Sequence, residues 1–173
     1  LTELKEIYNN KRKTEIIQEE IDDFVKEDLI KEESIVITLT YSGYIKQVPL
    51  SSYRQQRRGG KGVHGTSTKD EDDIVKNLIV TSNLNTLLFF TNKGKVYWLK
   101  GYEIPETSRY AKGKAIVNLL HLQENEKVNS ILSLKEFSDA EYLVFATKRG
   151  GVKKTNLMEY ANLRKTGIIA INL

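Results

Sequence analysis

Three stretches of this chain repeat one pattern, an apolar run, then Thr-x-x-Gly, then a second strand-like run. They are Val36-Ile37-Thr38-Leu39-Thr40-Tyr41-Ser42-Gly43-Tyr44-Ile45-Lys46, Leu87-Leu88-Phe89-Phe90-Thr91-Asn92-Lys93-Gly94-Lys95-Val96-Tyr97 and Leu143-Val144-Phe145-Ala146-Thr147-Lys148-Arg149-Gly150-Gly151-Val152-Lys153. Runs this short and rich in β-branched and aromatic residues read as strands, and a Gly at the turn supplies the positive φ that a tight hairpin requires. The turn glycines stand 51 and 56 residues apart. That period holds about four short strands, the size of a propeller blade. A lone blade cannot bury both faces, so neighbouring units must stack.

The expected fold is therefore all-β, with about two to three propeller blades bounded near residues 34–85, 86–141 and 142–173. Residues 1–33 differ in character. Leu4, Ile7 and Tyr8 fall at helical spacing, and the stretch reads as the end of a helix followed by a charged linker. The chain opens on Leu1 within that pattern, as expected of a fragment.

Charge divides the chain at the same place. Residues 1–33 carry six Lys/Arg and eleven Asp/Glu, a net of −5, whereas residues 34–173 carry twenty-one and twelve, a net of +9. The first part should avoid a polyanion and the second should attract one. A basic stretch follows each hairpin, at residues 46–61, 93–114 and 148–165, and the three together hold seventeen of those twenty-one cations and three of the twelve acids. In a radial fold, equivalent positions lie on the same edge of successive blades, so these cations are expected to form a curved basic stripe. The rim candidates are Lys46, Arg54, Lys93, Lys95, Arg109, Lys112, Lys114, Lys148, Arg149, Lys153, Lys154, Arg164 and Lys165.

The first basic stretch contains Gln56-Arg57-Arg58-Gly59-Gly60-Lys61-Gly62, with no acid between Lys46 and Lys61. Glycines allow backbone N–H groups to approach an anion, and Arg and Lys neutralise it. Gly60-Lys61-Gly62-Val63-His64-Gly65 matches G-x-G-x-x-G, but a dinucleotide site needs a strand before and an apolar helix after. A polar stretch precedes it and Thr66 to Asp73 follows, polar and acidic. No Gly-Lys-Ser/Thr ending marks a P-loop either.

Other chemistry finds little support. There is no Cys, which excludes disulfides and thiolate metal sites. His64 and His121, the two histidines, are far apart in sequence and read as ordinary residues. Asp70, Glu71, Asp72 and Asp73 read as a solvent-facing loop rather than a hard-cation site. Tyr97 and Trp98 are expected to pack between blades. No residue set supports a self-contained enzyme, and no apolar run approaches the length of a membrane-spanning helix.

Gln56 to Gly62 resembles, without substitution, the signature box of the DNA gyrase A family. Pro105-Glu106-Thr107-Ser108-Arg109, Gly113-Lys114-Ala115-Ile116-Val117-Asn118-Leu119-Leu120 and the entry Lys11-Arg12-Lys13-Thr14-Glu15-Ile16 are similar to the same family. The resemblance spans essentially the whole chain. It implies a propeller variant called a β-pinwheel, whose basic rim wraps double-stranded DNA without sequence specificity, so that the complete enzyme introduces negative supercoils using ATP. Its implied partners are a second gyrase A chain and the gyrase B subunit, in an A2B2 assembly with a cytoplasmic, nucleoid-associated location. On this resemblance the catalytic tyrosine lies upstream and this segment holds no cofactor, ATP and Mg2+ acting at the partner subunit. The box, Gln56, Arg57, Arg58, Gly59, Gly60, Lys61 and Gly62, is implied to lie on the first blade and bind DNA. Two rival readings are the equivalent domain of topoisomerase IV, whose box is usually degraded, and a protein-binding propeller whose cations only solubilise it.

Overall fold

The computed structural model describes residues 26–53, 73–162 and 166–173. The chain divides into two compact units, Leu1–Ile30 and Lys31–Leu173. The described part of the first is a single 3-10 turn, Lys26–Leu29, closed by the Ile30 N–H on the Glu27 carbonyl at 3.1 Å.

The second unit is built of strands. Their order is β1 Ser34–Thr40, β2 Tyr44–Pro49, β3 Val75–Ser82, β4 Thr86–Thr91, β5 Lys95–Lys100, β6 Lys114–Ala115, β7 Val128–Leu134, β8 Tyr142–Ala146, β9 Val152–Asn156 and β10 Ile168–Ile169. The three predicted hairpins are present as β1–β2, β4–β5 and β8–β9. Gly43, Gly94 and Gly150 close them with φ of +84°, +70° and +82°. Short 3-10 turns follow β2, β5 and β9, which end each second strand at the same repeat position.

The sheets do not coincide with contiguous repeats. The first is ordered β3-β1-β2-β6 and the second β10-β5-β4-β7. The two-residue strand β6 leaves the second repeat to pair with β2 of the first, Tyr44 opposite Ala115 and Ile45 opposite Lys114. Likewise β10 leaves the third repeat to pair with β5, Val96 opposite Ile168. Each four-stranded blade thus takes its fourth strand from the repeat that follows rather than from one contiguous segment. This exchange ties neighbours through backbone hydrogen bonds as well as through packing.

Packing follows the stacking expectation. One face of the first blade, Ile35, Ile37, Leu39 and Ile45, meets Leu87, Phe89 and Tyr97 of the second in one core. The opposite face of the second blade, Leu88 and Val96 with Phe90 and Trp98, meets Leu143, Phe145, Leu157 and Tyr160. Tyr97 and Trp98 therefore do pack between blades, on opposite sides of β5. With both faces covered, β4 is buried almost throughout, as a strand sandwiched between layers must be. The third hairpin is covered on one face only: Val144 and Val152 are 67% and 72% exposed, whereas Leu88 and Val96 at the matching positions are 0%.

Candidate nucleic-acid interface

The Thr of each Thr-x-x-Gly turn has a defined task. Its Oγ1 accepts the N–H of the residue four positions on: Tyr44 to Thr40 at 3.1 Å, Lys95 to Thr91 at 3.3 Å and Gly151 to Thr147 at 3.0 Å. In the first two blades an acid two residues before the third strand completes the tip. Thr91 donates to Glu126 Oε1 at 2.6 Å, and the Ser42 N–H donates to Asp73 Oδ1 at 3.0 Å. Asp73 is therefore buried, 5% exposed, which corrects the reading of it as a solvent-facing loop acid; residues 70–72 lie outside the described residues. Burial alone would raise the Asp73 carboxyl. The Ser42 N–H, the Thr40 and Ser42 hydroxyls and the Lys112 charge outweigh that and hold it below the ordinary value. These anchored tips carry exposed cations: Lys93 on the second, its Nζ donating to the Glu124 carbonyl at 2.7 Å, and Lys148 and Arg149 on the third.

A second group of cations gathers at the edge of the first blade, on the loop of the second repeat that leads into β6. Backbone bonds seat this loop along β2, the Gln47 N–H on the Pro105 carbonyl at 3.1 Å and the Thr107 N–H on the Gln47 carbonyl at 3.0 Å. Gln47 Nε2 adds a bond to the Ile104 carbonyl at 2.6 Å. Arg109 rests on the rings of Tyr53 and Tyr110, 5.7 and 5.6 Å from their centroids, and Lys112 lies 4.3 Å from the centre of the Tyr44 ring. Cations held over aromatic faces keep their charge with less positional freedom. Lys112 and Lys114 are exposed.

Lys46 is a correction. It was expected on the basic rim, but it is 3% exposed and its Nζ donates to the carbonyls of Arg109 and Ala111 at 2.6 and 2.7 Å. Burial pushes its ammonium below the usual lysine value. Its place on a strand otherwise buried on both faces decided this, and the alternation of β2 alone could not reveal the second covering layer. Lys95 is half-buried near Glu126, Lys153 donates to the Ala170 carbonyl at 2.7 Å, and Lys154 lies 4.0 Å from the Tyr142 ring centre. The box residues Gln56–Gly62, together with Arg54, Arg164 and Lys165, lie outside the described residues.

The structure thus separates the expected stripe into two sets, hairpin tips and the β6 edge. Lys93 and Arg149 hold the same turn position in their repeats, where the first repeat has Ser42. The sequence reading overlooked the aromatic supports Tyr44, Tyr53 and Tyr110 and the buried acids. The acids had a visible signal, since Asp73 and Glu126 each stand two residues before a strand that begins with Val. Among the described residues no group of three or more His, Cys, Asp or Glu is placed to hold a metal ion.

The repeat architecture agrees with a family model described as the DNA gyrase C-terminal domain, a β-propeller, which matches three times, at residues 34–82, 85–135 and 141–173. The chain belongs to this family. Curated relatives include the A subunit of DNA gyrase from Halalkalibacterium halodurans, 53% identical over the whole of this chain and 20% of that protein. The corresponding protein of Clostridium acetobutylicum is 51% identical over the whole chain and 21% of its own length. The chain therefore spans about a fifth of the length of these relatives. Among solved structures, a C-terminal domain of DNA topoisomerase IV aligns with a TM-score of 0.68 and 28% identity, covering 83% of this chain and 43% of that one. A DNA gyrase A C-terminal domain aligns with a TM-score of 0.64 and 26% identity, covering 81% and 44%.

Proposed function

We propose that residues 34–173 bind double-stranded DNA without reading its sequence and bend it along the blades, as part of a gyrase that supercoils DNA negatively. The observation that carries this reading is the placement of exposed cations on every blade described: Lys112 and Lys114 beside the first, Lys93 on the second, Lys148 and Arg149 on the third. Charges on successive blades lie along a curved surface, and a straight duplex meets only some of them. Bending 20–30 bp by 40–90° costs on the order of 1–6 kcal/mol. Phosphate contacts offset this by releasing counterions, with a salt slope near −0.9 per contact. The box residues Gln56 to Gly62 and the remaining rim candidates, Arg54, Lys95, Arg109, Lys153, Lys154, Arg164 and Lys165, extend this set of contacts; Lys46 does not.

In this reading the chain contributes the DNA-bending part of gyrase A. Strand cleavage, ATP hydrolysis and the Mg2+ that serves it belong to the rest of an A2B2 assembly with gyrase B, working on chromosomal DNA in the cytoplasm. Membership of the gyrase C-terminal domain family supports the assignment, as do the unsubstituted box and the gyrase A names of the relatives.

The test is to relax circular DNA with a topoisomerase in the presence of the full-length protein and measure linking number. The wild type should shift it, and a variant with Arg57, Arg58 and Lys61 replaced by Ala should not. An equal shift for both would overturn the reading. Decatenation without negative supercoiling, once ATP and gyrase B are added, would instead favour a topoisomerase IV role. Affinity that does not rise with duplex length would favour a protein-binding propeller.

A further inference from the structure

The buried ammonium of Lys46 has no direct route to a nucleic acid, yet it sits behind a group of cations that does. Its Nζ closes two hydrogen bonds, to Arg109 and Ala111, at the outer bend of the loop that carries Arg109, Lys112 and Lys114. The same loop also closes on β2 at Gly113: a Cβ there would lie 2.5 Å from the Ile45 carbonyl oxygen and 3.1 Å from Lys46 Cβ. The matching position three residues after the turn glycine is Tyr97 in the second blade, over whose ring Gly167 closes, so this strand position receives the following repeat in both blades. Of those two blades, the first alone uses a charged group there. An ammonium offers up to three donors, enough to satisfy two loop carbonyls that accept no backbone N–H among the described residues.

We propose that Lys46 is a positioning residue for DNA binding: its buried ammonium holds the loop of residues 105–114 against β2, so that Lys112 and Lys114 present their charges to the duplex at the edge of the first blade. The blade-one contact is then a composite, with the receiving strand encoded in the first repeat and the DNA-facing cations in the second. This rests on the DNA-binding reading above and adds that the loop must be fastened for its charges to count. Removing Lys46 should weaken DNA binding although it removes no charge from the surface.

The experiment measures duplex affinity of the full-length protein over a range of salt concentrations for Lys46→Met, Lys46→Arg, Gly113→Ala and the double variant Lys112→Gln/Lys114→Gln. The double variant should lower the magnitude of the salt slope by about 2, one phosphate contact per lysine. Lys46→Met should reproduce most of that loss, with affinity down on the order of tenfold, and should add little to the double variant when combined with it. Lys46→Arg, which keeps the charge and the donors, should recover part of the slope. Gly113→Ala displaces the same loop without touching the ammonium and should act like Lys46→Met, so a Lys46→Met protein too unstable to assay leaves a second readout. If Lys46→Met and Gly113→Ala bind with the wild-type slope while the double variant loses it, the DNA reading stands and the positioning role is wrong. If the double variant itself keeps the wild-type slope, the first-blade edge does not contact DNA and the positioning role falls with it.

Discussion

The hydroxyl of Tyr97 donates to Glu126 Oε2 at 3.0 Å, while the other oxygen of the same carboxylate accepts from Thr91. The Gln123 N–H adds a third bond, also to Oε2, at 2.8 Å. One buried acid thus joins the hairpin tip of the second blade, a core aromatic on β5 and the turn that launches β7. Burial alone would raise its pKa, but Thr91, the Gln123 N–H, Tyr97 and the Lys95 charge hold it below the ordinary value.

Replacing Glu126 with Ala leaves three donors in a 5%-exposed site without a partner. Each orphaned group costs about 1–3 kcal/mol, so we expect a loss of about 3 kcal/mol or more, read as a shift in denaturant midpoint. Glu126→Gln keeps the shape and some of the bonds and should cost clearly less. Equal stability of Glu126→Ala and wild type would show that the network carries no weight.

The pH dependence follows from the direction of these shifts. Asp73 and Glu126 titrate lower in the folded chain than when unfolded, so their contribution is fully present above the unfolded values of about 4 and is lost as pH falls through the folded ones. Tyr97 behaves oppositely. Burial, together with Glu126, pushes its hydroxyl up to about 12, so its contribution is present below the unfolded value of about 10 and drains away as pH rises towards 12. Thermal midpoints should stay flat near neutrality and fall at acid pH, while on the alkaline side the loss from Tyr97 is opposed by Lys46, whose lowered value favours the folded chain as its ammonium deprotonates. In Glu126→Gln the acid-side fall should be shallower, and ultraviolet titration should show a tyrosine ionising late in the wild type.

Gly94 and Gly150 occupy the same turn position with similar positive φ, +70° and +82°, but a Cβ at Gly94 would stand 2.0 Å from the Ile171 carbonyl oxygen while one at Gly150 meets nothing within 4 Å. Gly150→Ala should therefore cost only the left-handed penalty, about 1 kcal/mol. Gly94→Ala adds a backbone collision beside β10 and should cost on the order of 3 kcal/mol. Denaturant unfolding of the two variants checks this, and equal costs would show that the collision relaxes freely.

Lys148 and Arg149 are exposed on the third hairpin. Replacing both with Gln should leave the thermal midpoint unchanged, since solvated charges contribute little to stability. It should lower the salt slope of DNA binding by about 2. An unchanged slope would remove this tip from the DNA path.

Much of the architecture was legible because the relevant signals are local. Alternating apolar runs and a turn glycine specify a hairpin within about a dozen residues, and three recurrences declare a stacked repeat. Tyr97 and Trp98 were readable as inter-blade residues for the same reason. Lys46 and Asp73 were misread because their burial comes from segments more than thirty residues away: the Ala111 carbonyl for one and the Ser42 N–H for the other. A lysine in a basic stretch and an acid in an acidic one look solvated until a distant backbone closes over them.

The sequence by itself determined the repeat, the hairpins, the division into an acidic and a basic part, and the excess of cations over acids after each turn. The tertiary structure decided which repeat completes which blade. β6 and β10 are two residues long, too short for any periodicity, and their pairing is chosen by the open edges of β2 and β5. It also decided which cations face water. Strand alternation assigns a side chain to one of two faces, but only the stacking of neighbours determines whether that face is solvent or core.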